Sequence, residues 1–421
     1  VTPPFRHYWT GQTISLFGDQ IALLAIPLLA VLTLNADAEQ MGLLGAVELA
    51  PNLFFAFAFG AWADRRASRR AILIGADLGR AALLLGIPLA SLLGVLTMPI
   101  LYVAAFLTGT LGTLFMVSEQ TVFTSLVKPA EYVEANSLLI GSRSVSIVGG
   151  KTLGGLLVAA LTAPVAIAVD ALTFLLSALF VRRAEVPEPP AAPPDSDLAA
   201  GIRFIRRTPL LRASLFGTAT FNLFNTAFWA LLVLFATREL GLGSGAIGIA
   251  LGVGALGSIL GTVWAKRLNA RIGLGKALIL SFVIAPLPLL LVPLASGPPA
   301  VSWVLLTAAE FGSGVGVMIL EVGLASLQAA VIPDALRSRV WGAILFVNWG
   351  IRPLGALGGG LLAASIGLRP TMWIAAIGGI AGVLWLLPSR MSRVRGVSED
   401  GLAVDPPVVE PEDAPRVPVE V

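Results

Sequence analysis

The 421 residues are 56% hydrophobic and only 13% charged, with a mean hydropathy of +0.87 and a formal net charge of +3. A soluble domain carries about 25% charged residues, so composition argues against a soluble enzyme before any motif is read. The absence of cysteine excludes a disulfide framework, an iron–sulfur cluster and cysteine-based metal sites. His7, the single histidine, precedes the first apolar run and reads as a stray side chain and not as a ligand.

Twelve apolar runs follow in chain order, at 11–34, 40–62, 71–94, 98–124, 136–160, 164–181, 210–236, 245–268, 275–295, 300–331, 338–364 and 370–388. Each is near the length of about 20 residues that a membrane helix needs. They are too long and too little alternating for barrel strands, and in lipid only helices or closed barrels pair every backbone group. The fold class expected is therefore an all-α membrane protein of twelve transmembrane helices in two pseudo-symmetric six-helix bundles. The expected organisation is an N-terminal bundle at 1–182, a linker at 183–209, a C-terminal bundle at 210–388 and a disordered tail at 389–421. The linker is Pro-rich and then basic, and Leu198–Arg207 has apolar and basic residues at helical spacing, suited to an anionic membrane face.

Charge sets the orientation. With the N-terminus inside, 22 of the 28 basic residues fall in inner segments, and only Arg238 and Arg369 fall in outer loops. The positive-inside rule then places both termini of a multi-pass protein in the cytoplasm, and 24 Arg against 4 Lys with abundant Ala and Gly suggests a GC-rich bacterial genome, hence a bacterial plasma membrane. The halves repeat weakly. Trp62 and Trp264 lie at or near the end of the second run of their half, and Pro129 and Pro333 each precede the fifth. Such a duplication points to a site between the halves.

Eleven ionisable residues fall inside the runs: Asp19, Glu48, Asp77, Arg80, Glu119, Arg143, Lys151, Asp170, Glu310, Glu321 and Arg352. Each costs at least about 2.5–3.5 kcal/mol at a helix centre unless paired or hydrated, so each should face protein or a wet cavity. Asp77 and Arg80 are three apart and can pair; with Asp170 they read as structural. Asp19, Glu48, Glu119, Arg143, Lys151, Glu310, Glu321 and Arg352 are the candidates for substrate contact or proton coupling. Lys151 and Arg352 are placed near the midplane, where a cation pair would favour an anionic substrate or neutralise Glu48 and Asp19. Arg143 could reach Glu119 or Glu321, and Glu310 and Glu321 lie three turns apart on one face. The glycine-rich stretch from Gly248 to Gly261 lacks a following Lys-Ser/Thr and a preceding strand, so it reads as helix packing and not as a phosphate loop.

The stretch Gly60-Ala-Trp-Ala-Asp64-Arg65-Arg66-Ala-Ser-Arg69-Arg70 resembles the signature of the major facilitator superfamily, Gly-x-x-x-Asp-Arg-x-x-x-Arg-Arg between helices 2 and 3. The resemblance covers about residues 5–390 and extends to the exporters related to the enterobactin exporter and macrolide efflux proteins. It rests on Phe5-Arg6, Gly11-Gln12, Ser15-Leu-Phe-Gly-Asp19, Asp77-Leu-Gly-Arg80, Ala135-Asn-Ser137, Asp170-Ala-Leu-Thr-Phe174, Pro333-Asp334 with Arg337-Ser-Arg-Val340, and Pro353-Leu-Gly-Ala-Leu-Gly-Gly359. It implies a cavity lined by helices 1, 2, 4, 5, 7, 8, 10 and 11, and gating by Gly60, Asp64, Arg65, Arg69 and Arg70. Gly60 would let helices approach closely.

Two departures stand out. Lys151 occupies the proline position of a Gly-Pro-x-x-Gly-Gly pattern on helix 5, and residues 98–118 lack the mid-helix arginine of many drug/proton antiporters. The function expected is secondary active export of a small amphipathic compound (a drug, siderophore or secondary metabolite) by alternating access. An importer or lysophospholipid-type carrier is the alternative, and a membrane-embedded enzyme a distant one. No cofactor, catalytic residue or metal site is expected. The expected partners are a small-molecule substrate, protons or another cation, and membrane lipids, with no nucleic acid and a monomeric state.

Overall fold

The computed structural model describes residues 2–64, 68–128, 131–184, 198–398 and 401–404. The first half holds α1 (Pro3–Leu32), α2 (Ala38–Asp64), α3 (Arg69–Leu92), α4 (Met98–Leu126), α5 (Tyr132–Ala160) and α6 (Ala163–Arg183). A ten-residue helix, α7 (Leu198–Arg207), leads into α8 (Pro209–Arg238), α9 (Ser244–Ile272), α10 (Leu274–Ile284) with its continuation α11 (Leu291–Leu294), α12 (Pro299–Val331), α13 (Arg337–Ile366) and α14 (Leu368–Ile380). Among the described residues ten helical segments are long and apolar enough to cross a membrane. The helices α2 and α5, 27 and 29 residues long, complete six spans in each half. The Pro-rich part of the linker, 185–197, lies outside the described residues; α7 forms where the amphipathic spacing predicts it.

Local chemistry explains the boundaries. Prolines open α1, α4, α6, α8 and α12 at their first turn, where a missing N–H costs nothing. Ser68 caps α3 by accepting from the Ala71 N–H at 3.2 Å. Pro286 and Pro288 remove two backbone donors, so α10 breaks into a 3-10 turn at Leu287–Leu290 before α11 resumes. The first helix begins at Pro3, eight residues before the expected run. Phe5 and Tyr8 are fully buried there against Phe123, so this polar-looking turn is packed core.

The two halves meet through a symmetric pair of contacts: α2 packs on α13, and α5 packs on α9. These are the second and fifth spans of one half against the fifth and second of the other. Each contact is closest at glycine, where backbone meets backbone. A Cβ on Gly42 would lie 2.6 Å from the Gly360 Cα, and one on Gly155 would lie 2.6 Å from the Gly248 Cα. The glycine-rich stretch of α9 is thus packing surface on two sides, because Gly254, Gly257 and Gly261 receive α12.

Both close contacts lie at the ends of these helices remote from the linker. The α2–α13 contact continues as far as Leu53 against Gly350, and the space around Gly60 and Gly141 is open. The halves are therefore closed at one end and splayed at the linker end. The expectation that Gly60 mediates a close helix approach is not met in this conformation: among the described residues nothing comes within 4 Å of where its Cβ would stand. The expectation of a disordered tail from 389 is corrected too. Val394–Ser398 and Gly401–Val404 form an antiparallel hairpin, β1 and β2. Buried Met391 and Val394 seat it in one core with Leu274 and Leu278 of α10. Spaced apolar residues among the arginines supply this anchor; residues 405–421 lie outside the described residues.

Candidate substrate cavity and charge networks

A cavity of about 330 Å³ lies between the halves, below the closed end. Leu23 and Pro27 of α1, Glu48 of α2 and Lys151 of α5 line it from one side; Thr226 and Trp229 of α8, with Leu251 of α9 and Ala356 of α13, line it from the other. Its walls are mainly hydrocarbon, with one carboxylate and one ammonium. Pro51, one turn beyond Glu48, packs with the Glu48 backbone against Gly109, which sets α2 against α4.

Lys151 is the pivot of this site. Its Nζ lies 4.9 Å from the centroid of the Trp229 ring across the interface, within cation–π range. Among the described residues it has no carboxylate within 4.0 Å, and the charge acting on it is that of Glu310. Glu310 is 5% exposed, packs on Gly254, and leaves Oε1 without a hydrogen-bond partner. The Lys151 ammonium is thus held by a ring and a distant carboxylate, leaving donors free for a third party. An Ala–Gly-rich α5 makes this possible: Gly154 and Gly155, next to Lys151, bring α1 and α9 close, so the long side chain is directed between the halves.

A second network occupies the linker side of the first half. Arg80 donates to Asp77 at 2.5 Å and lies 3.9 Å from Asp19. Its guanidinium is sandwiched by Phe174, 4.0 Å from the ring centroid, and Phe115, 4.6 Å away. Asp77 is fully buried. Asp19 is surrounded by protein yet its side chain is 41% exposed, so it faces an open vestibule. Gly18 permits this placement, since any side chain there would strike Thr173 and Asp170 of α6. Buried Asp170 accepts from the Thr173 hydroxyl at 3.2 Å. Glu119 accepts from the Tyr8 hydroxyl at 3.2 Å, and the exposed Arg143 acts on both Glu119 and Asp19.

The third group sits in the second half. Arg352 stacks on Trp349, 4.4 Å from its centroid, and donates to Asn222 Oδ1 at 3.3 Å; Asn222 in turn donates to Asn348 Oδ1 at 3.0 Å. Exposed Glu321 is the acid acting on Arg352. Several expected pairings are therefore redrawn. Lys151 and Arg352 do not form one cation pair, because Arg352 lies outside the cavity in its own asparagine cluster. Arg143 acts through its charge on Glu119 and Asp19, with no ion pair to Glu119 or Glu321 within 4.0 Å among the described residues. Glu310 and Glu321 share a helix yet differ in environment, one packed against α9 and the other exposed. Trp229, Tyr8, Asn222 and Asn348 were not singled out from sequence. The two asparagines in apolar runs are a legible signal; the role of Trp229 depends on a contact across the interface.

In the signature loop, Arg65 and the Asp64 side chain lie outside the described residues. Arg69 is buried, and Arg70 donates to the Arg182 carbonyl at the end of α6, tying the first turn of α3 to its own half.

Residues 8–348 match the Major Facilitator Superfamily. The chain is 27% identical over 375 residues to "Uncharacterized MFS-type transporter YfiS" of Bacillus subtilis (strain 168), covering 85% of this chain and 86% of that one. It is 25% identical over 313 residues to "Uncharacterized MFS-type transporter YkuC" of the same organism, covering 69% and 70%. A nucleoside transporter, NupG, superposes with a TM-score of 0.76 at 12% identity, covering 92% of this chain and 99% of its own. A bacterial homologue of the human lysosomal transporter Spinster, inward-facing and unoccupied, superposes with a TM-score of 0.74 at 14% identity, covering 95% and 100%. The twelve-helix duplicated fold, the cavity between its halves and these likenesses agree: this chain is a membrane transporter, not an enzyme, and belongs to the major facilitator superfamily.

Proposed function

We propose that the protein is a secondary active exporter of small amphipathic compounds in the bacterial plasma membrane, working by alternating access in exchange for protons or another cation. The observation that carries this reading is the interfacial cavity, hydrocarbon-walled but holding Glu48 and Lys151. Such a site takes a molecule with an apolar body and one polar or charged group. The excess of basic residues on the linker side supports a cytoplasmic placement of both termini, and hence of the splayed end. A cavity open to the cytoplasm is where an exporter loads and an importer releases, and the choice of export rests on the family resemblance alone.

Asp19, Glu48, Glu119 and Glu310 are the proposed coupling carboxylates, and Lys151, Arg143 and Arg352 the cations that bias them. Lys151 is the internal competitor in this scheme: while it holds Trp229 it blocks part of the cavity, and a substrate or a protonation change releases it. Asp64 and the arginines of the signature loop are proposed to set the balance between the two access states. The working unit is taken as a monomer.

The test is efflux from cells with and without the gene, preloaded with a fluorescent amphipathic dye. Gene-dependent efflux that stops on addition of a protonophore and is lost in Lys151→Met supports the reading. Gene-dependent accumulation would turn it to import, and dye movement insensitive to both protonophore and Lys151→Met would sink it.

A further inference from the structure

A second concavity lies at the linker end of the second half, away from the central cavity. Its floor is apolar: Ile202 and Ile205 of α7, Leu215 and Phe216 of α8, and Phe346 and Val347 of α13 enclose about 580 Å³. Its rim is cationic. Arg206 and Arg212 border it, and a contiguous hollow adds Arg203 and Arg207. All four guanidinium-bearing residues are exposed, and among the described residues no acidic side chain lines either hollow. Their geometry is partly fixed: Arg212 donates to the Arg206 carbonyl at 3.3 Å, which holds it at the C-terminal end of α7.

The depth of this groove is also marked. Phe216 is 44% exposed and packs at a tilt against Trp385, 5.0 Å between centroids. The Trp385 indole donates to Thr220 at 3.0 Å. An exposed tryptophan with a satisfied N–H beside an exposed phenylalanine is the pattern of a headgroup-level anchor. Apolar floor, arginine rim and aromatic marker together offer partners for an acyl chain, a phosphate and the interface between them.

We propose that the groove between α7, α8 and α13 binds an anionic phospholipid, its phosphate among Arg203, Arg206, Arg207 and Arg212 and an acyl chain along Ile202, Phe216 and Phe346. The occupant follows from charge complementarity. Arginine forks match phosphate oxygens, and a soluble anion alone would leave the apolar floor in contact with water. The site would fasten the linker to the second half, because α7 already seats on α13 with Gly201 directly against the Arg339 backbone. The proposal stands independently of which compound the central cavity carries.

The test is native mass spectrometry of the full chain released from detergent after incubation with phosphatidylglycerol or phosphatidylcholine. The parent should retain one phosphatidylglycerol and release phosphatidylcholine. Arg206→Gln with Arg212→Gln should weaken retention roughly 30-fold, the factor matching about 1 kcal/mol per arginine near an anionic surface. Ile202→Trp should displace the lipid by filling the groove while leaving the arginines in place; Ile202 is exposed, so this change buries nothing in the core. Equal retention of both lipids, or retention unchanged in both variants, would overturn the proposal. So would displacement of phosphatidylglycerol by inorganic phosphate alone, which would reduce the site to an anion patch.

Discussion

Gly155→Ala tests whether the closed end is a real gate. The new methyl group would lie 2.5 Å from the Ser244 carbonyl oxygen and 2.6 Å from the Gly248 Cα. Both are backbone atoms, so α5 and α9 must separate by about 1 Å to restore ordinary contact distances. Overpacking of this kind costs about 1–3 kcal/mol. The cost falls on the state in which these backbones touch, and is relieved in a state in which the end opens. The ratio of the two states should therefore shift by about 5- to 150-fold toward opening at the end remote from the linker. The chain has no cysteine, so a single Thr226→Cys in the cavity reports access without background. An impermeant maleimide added to intact cells should label Thr226→Cys several-fold faster in the Gly155→Ala background. Gly141→Ala, where nothing lies within 4 Å, is the control and should leave labelling unchanged. Equal labelling in parent and Gly155→Ala, with equal melting temperature, would refute the argument that this contact defines the closed state.

Arg80→Met should destabilise the protein by about 3–5 kcal/mol by leaving Asp77 buried and unpaired, read as a lowered melting temperature in detergent, whereas Asp77→Asn should cost less. Arg238→Ala removes donors to the carbonyls of Asn35 and Ala36 across the halves, at 3.1 and 2.8 Å. Each such charged bond contributes about 1.5–3 kcal/mol, so the variant should shift access in the same direction as Gly155→Ala, by the same labelling assay. Trp229→Leu should weaken transport without loss of folded protein, because it removes the ring that holds the Lys151 ammonium; unchanged export rates would make that contact incidental. Ser296→Cys should be labelled from outside intact cells and Ser392→Cys only after permeabilisation; the reverse pattern would invert the topology.

Most of the architecture is legible in the residues because lipid leaves the backbone few options. Apolar run lengths locate the spans, and the glycines of α9 are readable as packing surface. The arginine asymmetry also has a structural gloss. Arg238 and Arg369, the two expected in outer loops, are both tied to backbone carbonyls, Arg369 to Pro293 and Ala295 at 2.7 and 2.8 Å. They are structural staples, so they do not weaken the bias of the rest. What is not legible is which charges meet. Asp19 finds Arg80 on another helix, and Arg352 finds an asparagine pair in place of Lys151. Such choices depend on helix rotation, which hydrophobic periodicity sets poorly when a helix is apolar all round. The buried first turn at Phe5 and Tyr8 and the anchored hairpin at 394–404 escape notice for a related reason: each mixes a few core residues into polar surroundings.

The paired glycine contacts, Gly42 with Gly360 and Gly155 with Gly248, have a mechanical consequence. Both pairs lie at the closed end of the interface, so together they form a fulcrum about which the two bundles can roll. From Gly155 to the linker end of α5 at Tyr132 is a lever of about 35 Å at 1.5 Å per residue. A roll of about 10° therefore moves that end by about 6 Å while the contacting backbones slide by a fraction of an ångström. At the two glycine pairs backbone meets backbone, so at those positions few side chains resist the roll. A bulky residue at any of the four positions would act less like a lost bond than like grit in a bearing, and its effect should appear first in turnover rate.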